Sequence, residues 1–216
     1  MNFKDKKAVI FDLDGTLLDT LNDLKNSLNE ALRKNGLPER TTDETRRFVG
    51  NGLGKLIERA IPNGKDNPLY DTVLQDMRAI YAERANETTC PYDGIPSLLR
   101  VLKQRGYQLA VVSNKPDAQV KALCQAYFPE IPVAVGQREG FRLKPAPDTV
   151  LETIRQLGCA ADETVYVGDS EVDVQTARNT GIPCISVLWG FRTKQTLLES
   201  GAECFAGSPA EMLNFF

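Results

Sequence analysis

Five short apolar runs constrain this chain more than any other feature. Ala8–Leu13, Tyr107–Asn114, Ile131–Gly136, Thr164–Asp169 and Cys184–Gly190 read as buried strands, rich in β-branched residues and almost unbroken in hydrophobicity. Helical patterns starting near Lys115, Pro145 and Ser170 separate the last four. Strands that are apolar on both faces need cover on both faces. The alternation therefore predicts an α/β core: a parallel, doubly wound, Rossmann-like sheet between helices.

Between Asp19 and Cys90 the pattern changes. Leu21, Leu24, Leu28, Ala31 and Leu32 follow a helical spacing, with Thr20 as N-cap, Asp23 in the first turn, and Gly36 and Pro38 as stop signals. "TTDETRRFVG", "GKLIERAI" and "LYDTVLQDMRAIYAER" extend the helical pattern without a convincing strand. Eleven basic and twelve acidic residues share this stretch, which is a solvated module and not a polyelectrolyte surface. The expected organisation is a core of residues 1–17 and 91–216 with an all-helical insertion at 18–90. The tail "GSPAEML" reads as a last helix, with Ser208 as N-cap, Pro209 at its first position and Glu211 closing a capping box.

Composition removes whole classes of chemistry. The 216 residues include no histidine, which excludes Ser-His-Asp and Cys-His catalysis and every histidine-ligated metal. Cys90, Cys124, Cys159, Cys184 and Cys204 are scattered and form no C-x-x-C pair, as expected of reduced thiols in a cytoplasmic protein. The net charge is −3 with no basic run, so no nucleic-acid partner is expected. No apolar stretch nears the roughly 20 residues of a membrane helix, so no membrane partner is expected either. The opening "MNFKDKKAVIFDLDG" reads as a strand entering a site, with an apolar run too short for a signal peptide.

Open α/β sheets bind ligands beyond the carboxyl ends of their strands. Here those ends hold Asp12, Asp14 and Thr16, then Ser113 and Asn114, then Asp169 with Asp173 one helical turn later, while Lys144 precedes "PAPD". Each has an ordinary reading as a turn or cap residue, but their recurrence at one edge of one sheet does not. Four carboxylates against the single charge of Lys144 call for a divalent cation. With only hard oxygen donors on offer, Mg²⁺ is expected over zinc or copper. A lysine and hydroxyls beside such a site suit a phosphoryl group.

"FDLDGTLLDT", "VVSNK", "LKPAPD" and "VGDSEVDV", in this order, resemble the four motifs of the haloacid dehalogenase-like hydrolase superfamily. The resemblance spans nearly the whole chain, and the helical insertion stands where that family keeps its cap domain. It implies Asp12 as a nucleophile that forms an aspartyl-phosphate, and Asp14 as acid for the leaving oxygen and base for water. It further implies Mg²⁺ on Asp12, the Asp14 carbonyl and Asp169, with Asp173 in support. Thr16, Ser113 and Asn114 would bind phosphate, and Lys144 would neutralise charge. Among branches, "FVGNGLGKLIERA" with "GDSEVDVQTARNTGIP" resembles phosphoglycolate phosphatases. That implies a small phosphorylated metabolite, 2-phosphoglycolate first, handled by a monomer or homodimer. Pyrophosphatase, nucleotidase and sugar-phosphate phosphatase or mutase are the alternatives.

Some features invite other readings. "GNGLGKL" is one residue short of a P-loop and has Leu56 where the hydroxyl belongs, and no strand precedes it for a dinucleotide fingerprint. In the family it falls at the cap's specificity loop, which makes Arg47, Asn51 and Lys55 candidate substrate contacts. The plain alternative is a glycine-rich helix joint with solvated cations. Asp19 is read as a helix-entry residue, Lys115 as a cap of the next helix, and Trp189 as packing at the sheet rim. Asp14 argues against a dehalogenase, and Thr16 against a mutase, while a phosphonate hydrolase would need a lysine such as Lys55. A non-catalytic phosphoacceptor or binding module is the alternative of another class, but it carries no helical insertion and gives Asp14 no task.

Overall fold

All four side chains of strand β1 (Ala8–Phe11) are buried, as a strand covered on both faces requires. The structure is a computed structural model that describes residues 2–84 and 86–216. After β1 come β2 (Leu18–Asp19), then helices α1 (Leu21–Lys34), α2 (Thr42–Phe48), α3 (Gly52–Ala60) and α4 (Tyr70–Arg84). The chain continues through β3 (Cys90–Pro91), α5 (Ile95–Gln104), β4 (Gln108–Pro116), α6 (Asp117–Tyr127) and β5 (Val133–Gln137). It ends with α7 (Asp148–Leu157), β6 (Thr164–Gly168), α8 (Glu171–Thr180), β7 (Cys184–Val187), α9 (Lys194–Glu199), β8 (Phe205–Ala206) and α10 (Pro209–Met212).

The chain divides into two compact units, Met1–Leu18 with Pro91–Phe216, and Asp19–Cys90. The first holds a six-stranded sheet in the order β5-β4-β1-β6-β7-β8, with parallel neighbours throughout. Strand alternation sorts its side chains into two layers. Val9 and Phe11 join Leu109, Val111, Val165 and Val167 in one layer, closed by Leu98 and Leu102 of α5 and Val120 of α6. Ala8 and Ile10 join Ala110, Val112 and Tyr166 in the other, closed by Val150 and Ile154 of α7 and Ala177 of α8. The order turns at β1, with β4 on one side and β6 on the other. Its carboxyl end is thus the switch point at which such sheets bind ligands.

The second unit is helical. Leu24, Leu28, Ala31 and Leu32 of α1 are buried, as are Val73, Met77 and Tyr81 of α4, and the two helices pack together. Each fully buried leucine contributes about 1.5–3 kcal/mol relative to exposure. Helix α2 starts in a capping box, with Thr41 accepting from the Glu44 amide and Glu44 from that of Thr41.

The structure corrects several local expectations. Thr20 stands at the N-cap of α1 but makes no cap bond, and its Oγ1 is buried without a partner; the Asp19 carboxylate accepts the Leu21 amide instead. At α10, Ser208 accepts the Glu211 amide, yet the Glu211 carboxylate reaches past Ser208 to the Gly207 amide, so the box is incomplete. Strand β4 runs on to Pro116, so Lys115 ends a strand and does not start a helix. Strand β7 stops at Val187; the Leu188 amide still donates to the Ala206 carbonyl of β8 at 3.0 Å, and Trp189 and Gly190 leave the sheet. Helix α9 and the two-residue β8 have no counterpart in the sequence reading. All five cysteines are free. Among the described residues no helix is long and apolar enough to cross a membrane.

Candidate active site

Strand β1 ends at Phe11, and Asp12 keeps one more sheet bond, its amide donating to the Val167 carbonyl at 2.8 Å. The chain then turns sharply. The Leu13 carbonyl accepts amides of Thr16, Leu17 and Leu18 at 3.0–3.3 Å, while the buried Leu13 and Leu17 anchor the loop below. Gly15 makes this possible with φ of +85°, and a Cβ there would lie 2.5 Å from Asp169 Oδ2. Asp12 and Asp14 thus lie past the strand, and the turn between them gives their side chains different partners.

The Asp12 carboxylate faces Lys144, whose Nζ lies 2.9 Å from Oδ1. The same ammonium donates to Asp173 Oδ1 at 2.8 Å and to the Tyr166 hydroxyl at 2.9 Å. Asn114 fixes this lysine through its backbone, with Oδ1 accepting the Lys144 amide at 2.8 Å and Nδ2 donating to the Lys144 carbonyl at 3.0 Å. Asp173, in the first turn of α8, spends Oδ2 on the Ser170 hydroxyl and amide at 2.6 and 3.1 Å. Asp169, just beyond β6, accepts the Thr16 hydroxyl at 3.1 Å and the Phe191 amide at 2.7 Å. Thr16 is fully buried, so its hydroxyl orients Asp169 in this structure. Ser113 Oγ accepts the Lys115 amide at 3.2 Å.

Asp12, Asp169 and Asp173 each offer one carboxylate oxygen, and the three lie within 4.8 Å of one another. Burial, and then the Asp173 charge, push Asp12 well above the carboxylate range against the pull of Lys144. Burial and the Asp173 charge likewise push Asp169 up to about 7, opposed by the Phe191 amide and Arg192. Burial works against the Lys144 ammonium, but Asp12 and Asp173 outweigh it and hold the lysine well above its usual range. Three close carboxylates with one shared ammonium are short of positive charge. Their hard oxygens, two of them raised toward neutrality, fit a divalent cation of the Mg²⁺ type.

Asp14 lies apart from this cluster. Its two oxygens meet Lys115 Nζ at 2.9 and 3.2 Å. Lys115 is therefore not a helix cap: it is a buried cation on the second carboxylate of "DLD". The only sequence signal for it is its place directly after Ser113 and Asn114, the polar residues late in β4.

The turn after β7 is the other feature that sequence reasoning missed. Trp189 packs against the core, as expected, and its Nε1 also donates to the Thr16 carbonyl at 2.9 Å. A Cβ on Gly190 would lie 2.3 Å from both Asp169 Cβ and the Gly15 carbonyl, so only glycine fits between the two acid-bearing loops. Arg192 donates to Glu171 at 2.7 and 3.2 Å. Within the helical unit, Arg47 is exposed in the last turn of α2, and Lys55 of α3 pairs with Glu58. Asn51 stands at the N-cap of α3 with its Oδ1 buried and unpartnered.

The chain is similar to known proteins in both sequence and fold. A family model described as haloacid dehalogenase-like hydrolase matches residues 9–187. A phosphoglycolate phosphatase of Agrobacterium fabrum is 37% identical over 194 residues, covering 84% of this chain and 80% of that protein. One of Aquifex aeolicus is 33% identical over 190 residues, covering 86% of each. A solved structure from Lactobacillus delbrueckii subsp. bulgaricus, provisionally described as a phosphoglycolate phosphatase, superposes with a TM-score of 0.93. It is 36% identical and covers 98% of this chain and 97% of that one.

Proposed function

The chain belongs to the haloacid dehalogenase-like hydrolase family, and from that premise we propose a Mg²⁺-dependent phosphomonoester phosphatase that works through an aspartyl-phosphate on Asp12. One observation supports the division of labour: two carboxylates one residue apart have different lysines. Asp12 shares Lys144 with the acid cluster, whereas Asp14 stands outside it on Lys115. Environments that separate two acids in this way suit one to attack and the other to handle protons.

The Asp12 carboxylate attacks phosphorus, and the bond from phosphorus to the ester oxygen breaks. Asp14 gives its proton to the departing alkoxide, then takes one from the water that attacks the aspartyl-phosphate, releasing phosphate and restoring Asp12. Lys144, held by Asn114, Tyr166 and Asp173, stays charged beside the nucleophile and offsets charge on the phosphoryl oxygens. Ser113 and the backbone at Asn114 take phosphate oxygens, while Thr16 holds Asp169 in register. Asp12, the Asp14 carbonyl and Asp169 would hold Mg²⁺, with Asp173 supporting through its own contacts. When bound, the metal supplies the positive charge that brings a dianionic phosphate against a carboxylate.

The relatives' names favour 2-phosphoglycolate as substrate. We assign choice among small anionic esters to the helical unit, with Arg47, Asn51 and Lys55 as its contacts. The test is Mg²⁺-dependent release of phosphate from p-nitrophenyl phosphate and from a panel including 2-phosphoglycolate, pyrophosphate and sugar phosphates. Asp12→Asn should lower kcat by about 10³-fold or more on every ester, since it removes the nucleophile. Asp14→Asn should cost about 10²-fold or more on alkyl esters and less on p-nitrophenyl phosphate, whose leaving group needs no proton. Turnover by Asp12→Asn equal to the parent would sink the mechanism. A preference for sugar phosphates or pyrophosphate over 2-phosphoglycolate would replace the substrate.

A further inference from the structure

Lys115 is a buried cation to which the chemistry above gives no task. Its side chain is 3% exposed, and its Nζ reaches both oxygens of Asp14 at 2.9 and 3.2 Å. The backbone is shaped to put it there. Pairing of β4 with β5 shifts register between Val112 and Pro116, a bulge that re-aims the residues inside it. The Lys115 amide turns onto Ser113 Oγ, and a Cβ on Gly136 of β5 would lie 2.5 Å from the Lys115 carbonyl. Capping does not explain the lysine, because α6 has no side-chain cap bond.

Asp14 must present an oxygen and a proton to the departing ester oxygen. While one ammonium covers both of its oxygens, neither is turned to that task. The ammonium has to move to another anion first. An ester with a carboxylate two bonds beyond the leaving oxygen brings that anion beside Asp14, within reach of a side chain already touching Asp14. A neutral alcohol of the same size brings none.

We propose that Lys115 determines specificity: it holds Asp14 in the free enzyme and passes to the carboxylate of a phosphorylated 2-hydroxy acid in the complex, freeing Asp14 for proton transfer. The inference rests on the phosphatase reading above. It adds to the contacts of the helical unit a discriminating contact on β4, beside the leaving group, where a wrong ester loses turnover as well as binding.

The experiment compares 2-phosphoglycolate with 2-hydroxyethyl phosphate, which replaces the carboxylate by a hydroxymethyl group. The parent should favour 2-phosphoglycolate in kcat/KM by at least about 30-fold, with part of the difference in kcat. Lys115→Met should shrink that ratio at least about tenfold, and Lys115→Arg, which keeps the charge, should restore part of it. Arg47→Ala and Lys55→Ala run alongside. A fall shared equally by both esters in Lys115→Met would make the lysine merely structural and overturn the proposal. So would a ratio that collapses in Arg47→Ala or Lys55→Ala and survives in Lys115→Met. If Lys115→Met does not fold, the Lys115→Arg ratio and the parent's own kcat split decide, and a parent ratio near one sinks the proposal. A parent that releases no phosphate from any ester instead sinks the phosphatase reading itself.

Discussion

Asp23 in the helical unit and Asp169 in the sheet unit are both shut away from water, 2% and 1% exposed. They are satisfied in opposite ways. Asp23 accepts the amides and hydroxyls of Thr88 and Thr89 at 2.6–3.1 Å, which ties the end of its unit to the start of α1. Asp169 accepts one hydroxyl and one amide, and two further carboxylates lie in the same small space. Burial alone therefore does not mark a site. A buried acid ringed by donors is a clasp, while buried acids short of positive charge point to a ligand.

The largest test of that contrast is pH. Asp169 is raised from an ordinary value of 3.8 to about 7, so the folded state holds its proton more firmly than the unfolded chain does. This contribution to stability is fully present below pH 3.8, falls away as pH rises from there to about 7, is lost above that, and is worth on the order of 4 kcal/mol in total. Asp12, also raised, acts in the same direction. Urea unfolding in EDTA should therefore give a higher midpoint at pH 5 than at pH 8, and Mg²⁺ should restore stability at pH 8. Equal midpoints in EDTA would mean that the cluster is not short of charge.

Asp23 should behave differently. Asp23→Asn swaps an acceptor for a donor opposite two amides and two hydroxyls, at a cost of about 2–3 kcal/mol. The loss should be independent of Mg²⁺, because no metal compensates a broken clasp. If Mg²⁺ recovered it, the distinction between the two buried acids would fail.

That distinction was only half legible in the sequence. The sheet could be read from its apolar strands, because burial on both faces leaves an unmistakable run of β-branched residues. The short β8 could not, since two residues show no periodicity. The acids at strand ends stood out by spacing. The partner Lys115 and the clasp acid Asp23 did not, because they look locally like a cap and a first-turn acid. Lys115 needed the β4 bulge, and Asp23 needed residues 65 and 66 positions away in the chain. "LWG" read as strand because its residues are apolar. Its real task, wedging Gly190 between two loops, is a matter of space that composition does not encode.

The smallest test concerns Trp189, the single tryptophan of the chain. Its Nε1 donates to the Thr16 carbonyl at 2.9 Å, and the Thr16 hydroxyl in turn donates to Asp169. Trp189→Phe keeps an aromatic ring at the sheet rim but removes this donor, which is worth about 1 kcal/mol. With the carbonyl freed, the Gly15–Thr16 turn loses one tie and Asp169 is held less firmly. The Mg²⁺ concentration for half-maximal activity should rise about fivefold, while a change of similar size in overall stability should persist without metal. Trp189 is also its own reporter, since Mg²⁺ or phosphate entering beside Thr16 should alter its emission, and Asp169→Asn should abolish the Mg²⁺ response. Emission blind to both ligands would separate the indole from the acid cluster and leave Trp189 as packing alone.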